Sequence, residues 1–310
     1  MNWKLKSTIQ RACAKLPAGS ERIYYFLQRK FGAMRRPPDP LLNFLDLSRI
    51  LSELRTAGFD LHDKRVMEVG TGRRLDMAIA FFLCGPGSVV TYDLHRYLKE
   101  ELVLGSIRAM IADRVKIAEW FASLTSLGDL EGRIRSLEQA STLEQVCAAA
   151  GIEYHAPADA ASNGLPDGSI DLQFSYTVLE HILEPVLKAI LKEARRILKP
   201  DGLACHHIDL SDYFAPDDSS ISRVNFLQFE EKDWQKYNDN QFAYQKRMRV
   251  PEYEQLYSRA GHDVRKGTRF LNQTGKDAIE AGLPLTAKFR GVPSDVLTTV
   301  VVRVTSKPAG

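Results

Sequence analysis

The chain has 310 residues, 44% apolar and 26% charged, a composition that supports one large or two small folded domains and excludes a disordered or collagen-like chain. No run approaches the roughly 18 to 20 apolar residues of a membrane span, no uninterrupted apolar region precedes a cleavage site, and Cys13, Cys84, Cys147 and Cys205 are too scattered for a zinc cluster or a disulfide framework. A cytoplasmic protein, neither exported nor membrane-spanning, is therefore expected. The net charge of +3 divides unevenly: residues 1–36 carry nine Lys or Arg against Glu21 alone, giving +8 there and −5 elsewhere. That split argues against a nucleic-acid-binding core and gives the first segment either an anionic partner, such as the inner face of a membrane, or simply a solvated basic surface.

Leu5, Ile9, Ala12, Cys13 and Leu16 recur at helical spacing, and Ile23, Phe26, Leu27 and Phe31 follow the candidate N-cap Ser20, so two amphipathic helices open the chain. Trp3, Tyr24, Tyr25 and Phe26 would rest on lipid or pack inward. Arg35, Arg36, Pro37 and Pro38 break the pattern, and Asp39 and Pro40 start a third helix that ends near Gly58. Residues 1–60 read as a helical cap, and residues 61–310 as the main domain.

From residue 64 short β-rich runs alternate with helical ones, the pattern of a doubly wound α/β sheet with crossover helices. Val66 to Val69 form a strand that runs into Gly70, Thr71 and Gly72; a helix through Ala78 to Leu83 follows, then a second strand, Ser88 to Tyr92, ending at Asp93. About residues 100–150 form a helical insertion with a break around Gly128, serving as a lid or a dimer contact. Strands are expected at Gly151 to His155, Ile170 to Tyr176 and Leu203 to Ile208, with a helix from Glu184 and a turn at Lys199 to Gly202. A polar, aromatic-rich excursion occupies about residues 211–250 before a helix from Pro251 to Ala260 and strands near Val264 and at Thr298 to Val304.

Glu68, Gly70 and Gly72 make an E-x-G-x-G turn between strand and helix, where glycines let the backbone approach a ligand. Asp93 ends the next strand, where a carboxylate can accept from both ribose hydroxyls, so the pair points to a nucleoside cofactor. Arg74 replaces the third glycine of a dinucleotide fingerprint, which disfavours a nicotinamide-dependent oxidoreductase. Asp159, the run LPDGSI (165–170), the run DLQFSYTVLEHI (171–182) and RILKPDG (196–202) then stand in order. This succession resembles the class I S-adenosylmethionine-dependent methyltransferases, the small-molecule methyltransferase domain family, over about residues 60–210. The resemblance implies a Rossmann-like seven-stranded sheet with an antiparallel final strand, methyl-transfer activity and S-adenosylmethionine as cofactor.

It also implies that Glu68, Gly70, Thr71 and Gly72 shape the turn under the methionine moiety, and that Asp93 and Leu94 lie at the ribose end. By the same resemblance Asp159 and Ala160 lie at the adenine, and Ser175 and Tyr176 flank the sulfonium. Glu68 could instead cap the glycine turn through backbone N–H groups. A Glu-His pair like Glu180 and His181 occurs in several of these enzymes, and His181 is a candidate base or a packing residue. His206 and His207, which strand alternation sends to opposite faces, are the other candidate bases. Metal binding by His206, His207, Asp209 and Asp212 is not expected, the spacing being wrong. Asp209, Tyr213, Tyr244, Arg247 and Arg249 suit a polyhydroxylated or acidic acceptor, and HHIDLSDYF with SISRVNFLQF looks like methyltransferases among bacterial polysaccharide-biosynthesis proteins. Methyl transfer to an oxygen of a small-molecule or glycan acceptor is the expected function; a non-catalytic module that binds S-adenosylmethionine, or only a partner through the cap, is the alternative.

Overall fold

The computed structural model describes residues 1–16, 19–31 and 39–310. Helices α1 (Trp3–Ala14) and α2 (Ser20–Phe31) open the chain, α1 being capped by Asn2, whose side-chain oxygen accepts from the N–H groups of Lys4 and Leu5. The break expected at Arg35 to Pro38 lies outside the described residues. Helix α3 (Leu41–Thr56) starts under Asp39, whose Oδ1 accepts from the Leu41 N–H at 2.9 Å. Strand β1 (Arg65–Val69) leads through the glycine turn to α4 (Asp76–Cys84), which Gly85 ends in the left-handed conformation, and β2 (Ser88–Tyr92) follows.

The insertion before β3 (Ile152–His155) is four helices, α5 (Glu100–Ala112), α6 (Arg114–Phe121), α7 (Leu127–Glu138) and α8 (Leu143–Ala150). The break expected at Gly128 falls earlier, because Ser126 caps α7 by accepting from the Asp129 N–H and places Gly128 in the first helical turn. After β4 (Ile170–Tyr176) and a single 3-10 turn at Leu179–His181 come α9 (Glu184–Ile197) and β5 (Leu198–Asp209). Strand β5 already begins at Leu198, and Gly202 sits in a tight place, where a Cβ would lie 3.0 Å from the Lys199 carbonyl oxygen and 3.1 Å from that of Ile170. The chain closes with α10 (Glu231–Asn238), α11 (Val250–Arg259), β6 (His262–Leu271), α12 (Gln273–Glu280), α13 (Ser294–Thr298) and β7 (Thr299–Pro308).

The seven strands form one sheet of order β3-β2-β1-β4-β5-β7-β6 that mixes parallel and antiparallel strands. β1 pairs in parallel with β2 and β4, and β2 with β3, so the two centre strands bring Met67 beside Gln173 and Val66 beside Leu172. Central parallel strands are covered on both faces, which is why β4 is buried along nearly its whole length instead of alternating. Among the described residues no helix is long and apolar enough to cross a membrane.

By contact the chain divides into two compact units. One comprises Pro38–Tyr176, Ala189–His206 and Ser306–Gly310, the other Met1–Pro37, Thr177–Lys188 and His207–Thr305. The packing therefore does not divide near residue 60: α3 packs on α4 within the first unit, while α1 and α2 belong with the second. In that second unit Trp3, Phe214, Phe226, Trp234 and Phe289 form an apolar core. Trp3 is 5% exposed and Tyr24 6%, so neither can rest on lipid. The buried stripe of α1 is Trp3, Ser7, Gln10 and Cys13, not the Leu5, Ile9 and Leu16 set. Its polar members are hydrogen-bonded, Ser7 to the Tyr237 carbonyl and Gln10 to the Tyr24 hydroxyl, and polar residues on the inner face conceal that face from a hydrophobic count.

Candidate active site

In the first unit the glycine turn is built from backbone geometry and one carboxylate. Gly70 has φ +84° and Gly72 φ +69°, conformations that penalise any residue with a Cβ, and a Cβ at Gly72 would find no protein atom within 4 Å. The turn is an open cradle of main chain. Asp93, at the end of β2, clamps it: Oδ2 accepts from the Gly72 N–H at 2.8 Å and Oδ1 from the His95 N–H at 3.0 Å. Each oxygen keeps a second lone pair, an acceptor for each of two ribose hydroxyls. Burial raises the Asp93 pKa, and these two hydrogen bonds oppose the shift.

Glu68 meets a hydroxyl and not the backbone N–H groups of the glycine turn. Its Oε2 accepts from the Thr91 hydroxyl at 2.8 Å, and the Thr91 and Thr71 hydroxyls lie 2.6 Å apart, so a buried chain of hydroxyls ties β1 to β2 below the turn. Desolvation dominates and pushes the Glu68 carboxyl up to about 8, with Asp93 and Asp76 adding repulsion against the Thr91 bond. Arg74, where a third glycine would stand, turns to Asp76 at the start of α4, 3.6 Å away. Asp159 is exposed and holds its own loop, Oδ1 accepting from the Ala161 N–H at 2.8 Å, beside buried Ala160; Leu94 is 63% exposed, an apolar side chain at the surface next to Asp93. Ser175 is fully buried with its hydroxyl 2.8 Å from His206 Nδ1, and the Tyr176 hydroxyl donates to Asp46 of α3. His206 is thus enclosed in the sheet, 0% exposed.

In the second unit the segment Thr177–Lys188 opens under strain. Thr177, the residue after β4, has φ +52°, an outlier for a β-branched side chain, and its N–H donates to the His207 carbonyl at 2.8 Å. The turn that follows carries Glu180 and His181. His181 Nδ1 lies 2.7 Å from the Tyr244 carbonyl, which can only accept, so the proton sits on Nδ1 and Nε2 keeps its lone pair. The imidazole retains 40% of its surface, and desolvation outweighs the Tyr244 and Asp209 contributions to lower its pKa below the usual 6.5. It is a neutral base at neutral pH.

Glu180, by contrast, is 1% exposed; its Oε1 lies 3.9 Å from His181 Nε2 and accepts from the Asp209 N–H at 3.3 Å. Burial first, then Asp209, raises its pKa well above 4.5. The Lys246 N–H donates to the Glu180 carbonyl, and the Lys246 ammonium, 5.2 Å from the centre of the Tyr253 ring, is brought down to about 8 by burial against the opposing pull of Glu180 and Glu184. Sequence reasoning missed Lys246 and Tyr253, which lie far along the chain from the Glu-His pair.

Three of the five expected acceptor residues gather around His181: Tyr244 through its carbonyl, Tyr213 with its ring edge-on at 6.0 Å, and Asp209 through its charge. The other two are corrected. The Arg249 guanidinium is buried and donates to the carbonyls of Leu210, Val296, Leu297 and Thr299, and that of Arg247 donates to the Phe226 and Phe229 carbonyls and to Glu231. Both staple the excursion to the fold instead of facing an acceptor. The aromatic residues of the excursion are likewise packed, Phe214, Phe229, Trp234 and Tyr237 closing around Trp3 at centroid distances from 4.7 to 6.2 Å. His207 is 8% exposed, and Asp212 is buried with its oxygens taken by the Phe214 N–H and Asn225. Among the described residues no three His, Cys, Asp or Glu side chains are grouped to hold a metal ion.

A sheet of this order, with an open glycine cradle after its first strand and a carboxylate clamping it after the second, defines a nucleoside-cofactor fold of the methyltransferase kind. The family model described as a methyltransferase domain matches residues 117–206, from α6 through most of β5, without reaching Glu68 or Asp93. Over those residues the chain carries a methyltransferase domain, and the match points to S-adenosylmethionine as the cofactor. The cradle, the Asp93 lone pairs and the apolar Leu94 fit that group.

Among solved structures the chain is similar to an S-adenosylmethionine-dependent methyltransferase from Mesorhizobium loti, at 16% identity over 85% of this chain and 99% of that one, TM-score 0.43. It is also similar to a putative methyltransferase from Bacillus halodurans (16%, 83% and 95%, TM-score 0.40). A putative sarcosine dimethylglycine methyltransferase from Galdieria sulphuraria gives 12%, 86% and 86%, with TM-score 0.46. No curated protein matches the chain.

Proposed function

We propose that this methyltransferase methylates an oxygen of a small-molecule or glycan acceptor, with His181 as the base. The observation that carries the reading is the Tyr244 carbonyl on His181 Nδ1, which fixes the tautomer and leaves Nε2 as a lone pair on a partly exposed, uncharged ring. An amine attacks a methyl donor through its own lone pair, whereas a hydroxyl is a weak nucleophile until a base draws off its proton, so a fixed neutral imidazole favours oxygen. S-adenosylmethionine supplies a sulfonium methyl group open to in-line displacement. Nε2 would take the proton of the acceptor hydroxyl, whose oxygen would gain the methyl group as S-adenosylhomocysteine leaves. Glu180 Oε1 at 3.9 Å faces the imidazolium that results, and Asp209 and Tyr213 offer an acceptor and an aromatic edge to a hydroxylated molecule. Asp93 and the Gly70 to Gly72 main chain would hold the cofactor's ribose and methionine ends.

The test is His181→Gln and His181→Ala, assayed for S-adenosylhomocysteine release against nucleotide sugars and cell-envelope glycans, with cofactor affinity measured by calorimetry. Both variants are expected to bind cofactor as the native protein does and to lose about 10² to 10⁴ in turnover. Undiminished turnover removes His181 from the reaction. An acceptor carried on a lipid would bring the reaction to a membrane face.

A further inference from the structure

We propose that the outward faces of α1 and α2 form a docking surface for an anionic lipid bilayer. Each helix is amphipathic in an unusual sense: one face packs into its own unit, through four buried residues on α1 and through Tyr24 on α2, and the opposite face combines cations with exposed apolar side chains. On α2, Arg22, Ile23, Phe26, Arg29 and Lys30 fall within an arc of about 120° at 100° per residue, with Tyr24 buried opposite them. On α1, Lys4, Leu5, Thr8, Arg11, Ala12 and Lys15 occupy an arc of the same width, opposite Trp3, Gln10 and Cys13.

Every side chain in the two outward arcs is exposed, and the apolar ones are large: Leu5 54%, Ile23 44% and Phe26 56%, with Phe31 at 78% closing α2. Glu21 is the only acid on either helix. Lys6, by contrast, lies off this face and is engaged within the unit, paired with Asp217 and 4.2 Å from the Tyr213 ring centre.

Charge alone would suit any polyanion; the placement of Phe26 selects the bilayer. Arg22, Arg29 and Lys30 stand three or four residues from Phe26, so the ring is surrounded by guanidinium and ammonium groups. A phosphate backbone or an acidic protein surface gains little from an exposed benzyl group. At a bilayer the ring enters the boundary of headgroups and acyl chains while the cations stay level with lipid phosphate and carboxylate. The face is also held firmly: the Trp3 N–H donates to Asp218 Oδ2 at 2.8 Å, the amino terminus to the Asp217 carbonyl at 2.7 Å, and Gln10 joins α1 to Tyr24 of α2 at 2.7 Å. The inference stands apart from the acceptor's identity and from His181.

The experiment is flotation of the full chain with vesicles of phosphatidylcholine alone or mixed with phosphatidylserine, at low and high salt. Recovery is expected on the anionic vesicles and should fall as salt rises. The double variant Arg29→Glu, Lys30→Glu should weaken binding at least tenfold, since each cation near such a surface contributes roughly fivefold. Ile23→Ser, Phe26→Ser should abolish the part of the binding that survives high salt. All four positions are exposed, and unchanged cofactor affinity verifies that the variants fold. Equal recovery on both vesicle types overturns the proposal. So does loss of binding to polyglutamate or duplex DNA in step with vesicle binding in the charge variant while the Ile23, Phe26 variant behaves as the native chain, because the face would then be a plain polyanion site.

Discussion

Glu68→Gln isolates the energetic consequence of enclosing a carboxyl beneath the cofactor turn. The side chain is 4% exposed and its polar environment is one hydroxyl, Thr91, with Asp93 and Asp76 nearby. It titrates near 4.5 when unfolded and at about 8 in the folded protein. Between those values the native state keeps a proton that the unfolded chain has released, so stability falls as pH rises. The contribution is complete below pH 4.5 and disappears as pH climbs through 8, at about 1.4 kcal/mol per pH unit and roughly 4 to 5 kcal/mol in all.

Gln keeps an oxygen for the Thr91 hydroxyl and never ionises. The cofactor-free proteins should therefore have similar stability at about pH 5 and diverge steadily, Glu68→Gln being several kcal/mol the more stable near pH 9. Urea unfolding followed by circular dichroism at each pH reads this. The difference between the two proteins removes the common background of Glu180, Asp76 and Asp212, whose pKa values are raised in the same direction. Parallel pH profiles would refute the reasoning, since Glu68 would then be ionised or solvated in the native state.

Asp93→Ala should weaken S-adenosylmethionine binding at least tenfold in calorimetry, through the loss of charge-assisted bonds to the ribose, and should also lower the unfolding midpoint because the Gly72 and His95 N–H groups lose their acceptor; unchanged affinity in a folded variant would end the ribose assignment. Arg249→Met should cost about 3 kcal/mol or more in urea, four carbonyls losing their donor, and leave the acceptor KM alone, whereas a raised KM at native stability would return Arg249 to the acceptor site.

The strands and the cofactor turn were legible in the residues because their causes are local. β-branched runs such as SVVTY at 88–92, glycines at 70 and 72 where φ must be positive, and an acid at the end of β2 each follow from short-range geometry, and the structure places β1, β2 and β4 within a residue of expectation. What tertiary structure decided was which way long polar side chains turn. Arg247 and Arg249 carry the same guanidinium as an acceptor-binding residue, and only the carbonyls of Val296, Leu297 and Thr299, some fifty residues onward, give Arg249 a structural task. Trp3 looks like a membrane anchor until Phe214 and Trp234 close around it. His181 stands out from His206 and His207 through a carbonyl 63 residues away. The physical reason is common to all of them: a hydrogen bond or ring contact fixes a side chain's role only once distant segments are packed together, and burial then multiplies its electrostatic consequence. Sequence can propose which residues carry chemistry; the enclosure that sets their charge and tautomer exists only in the folded chain.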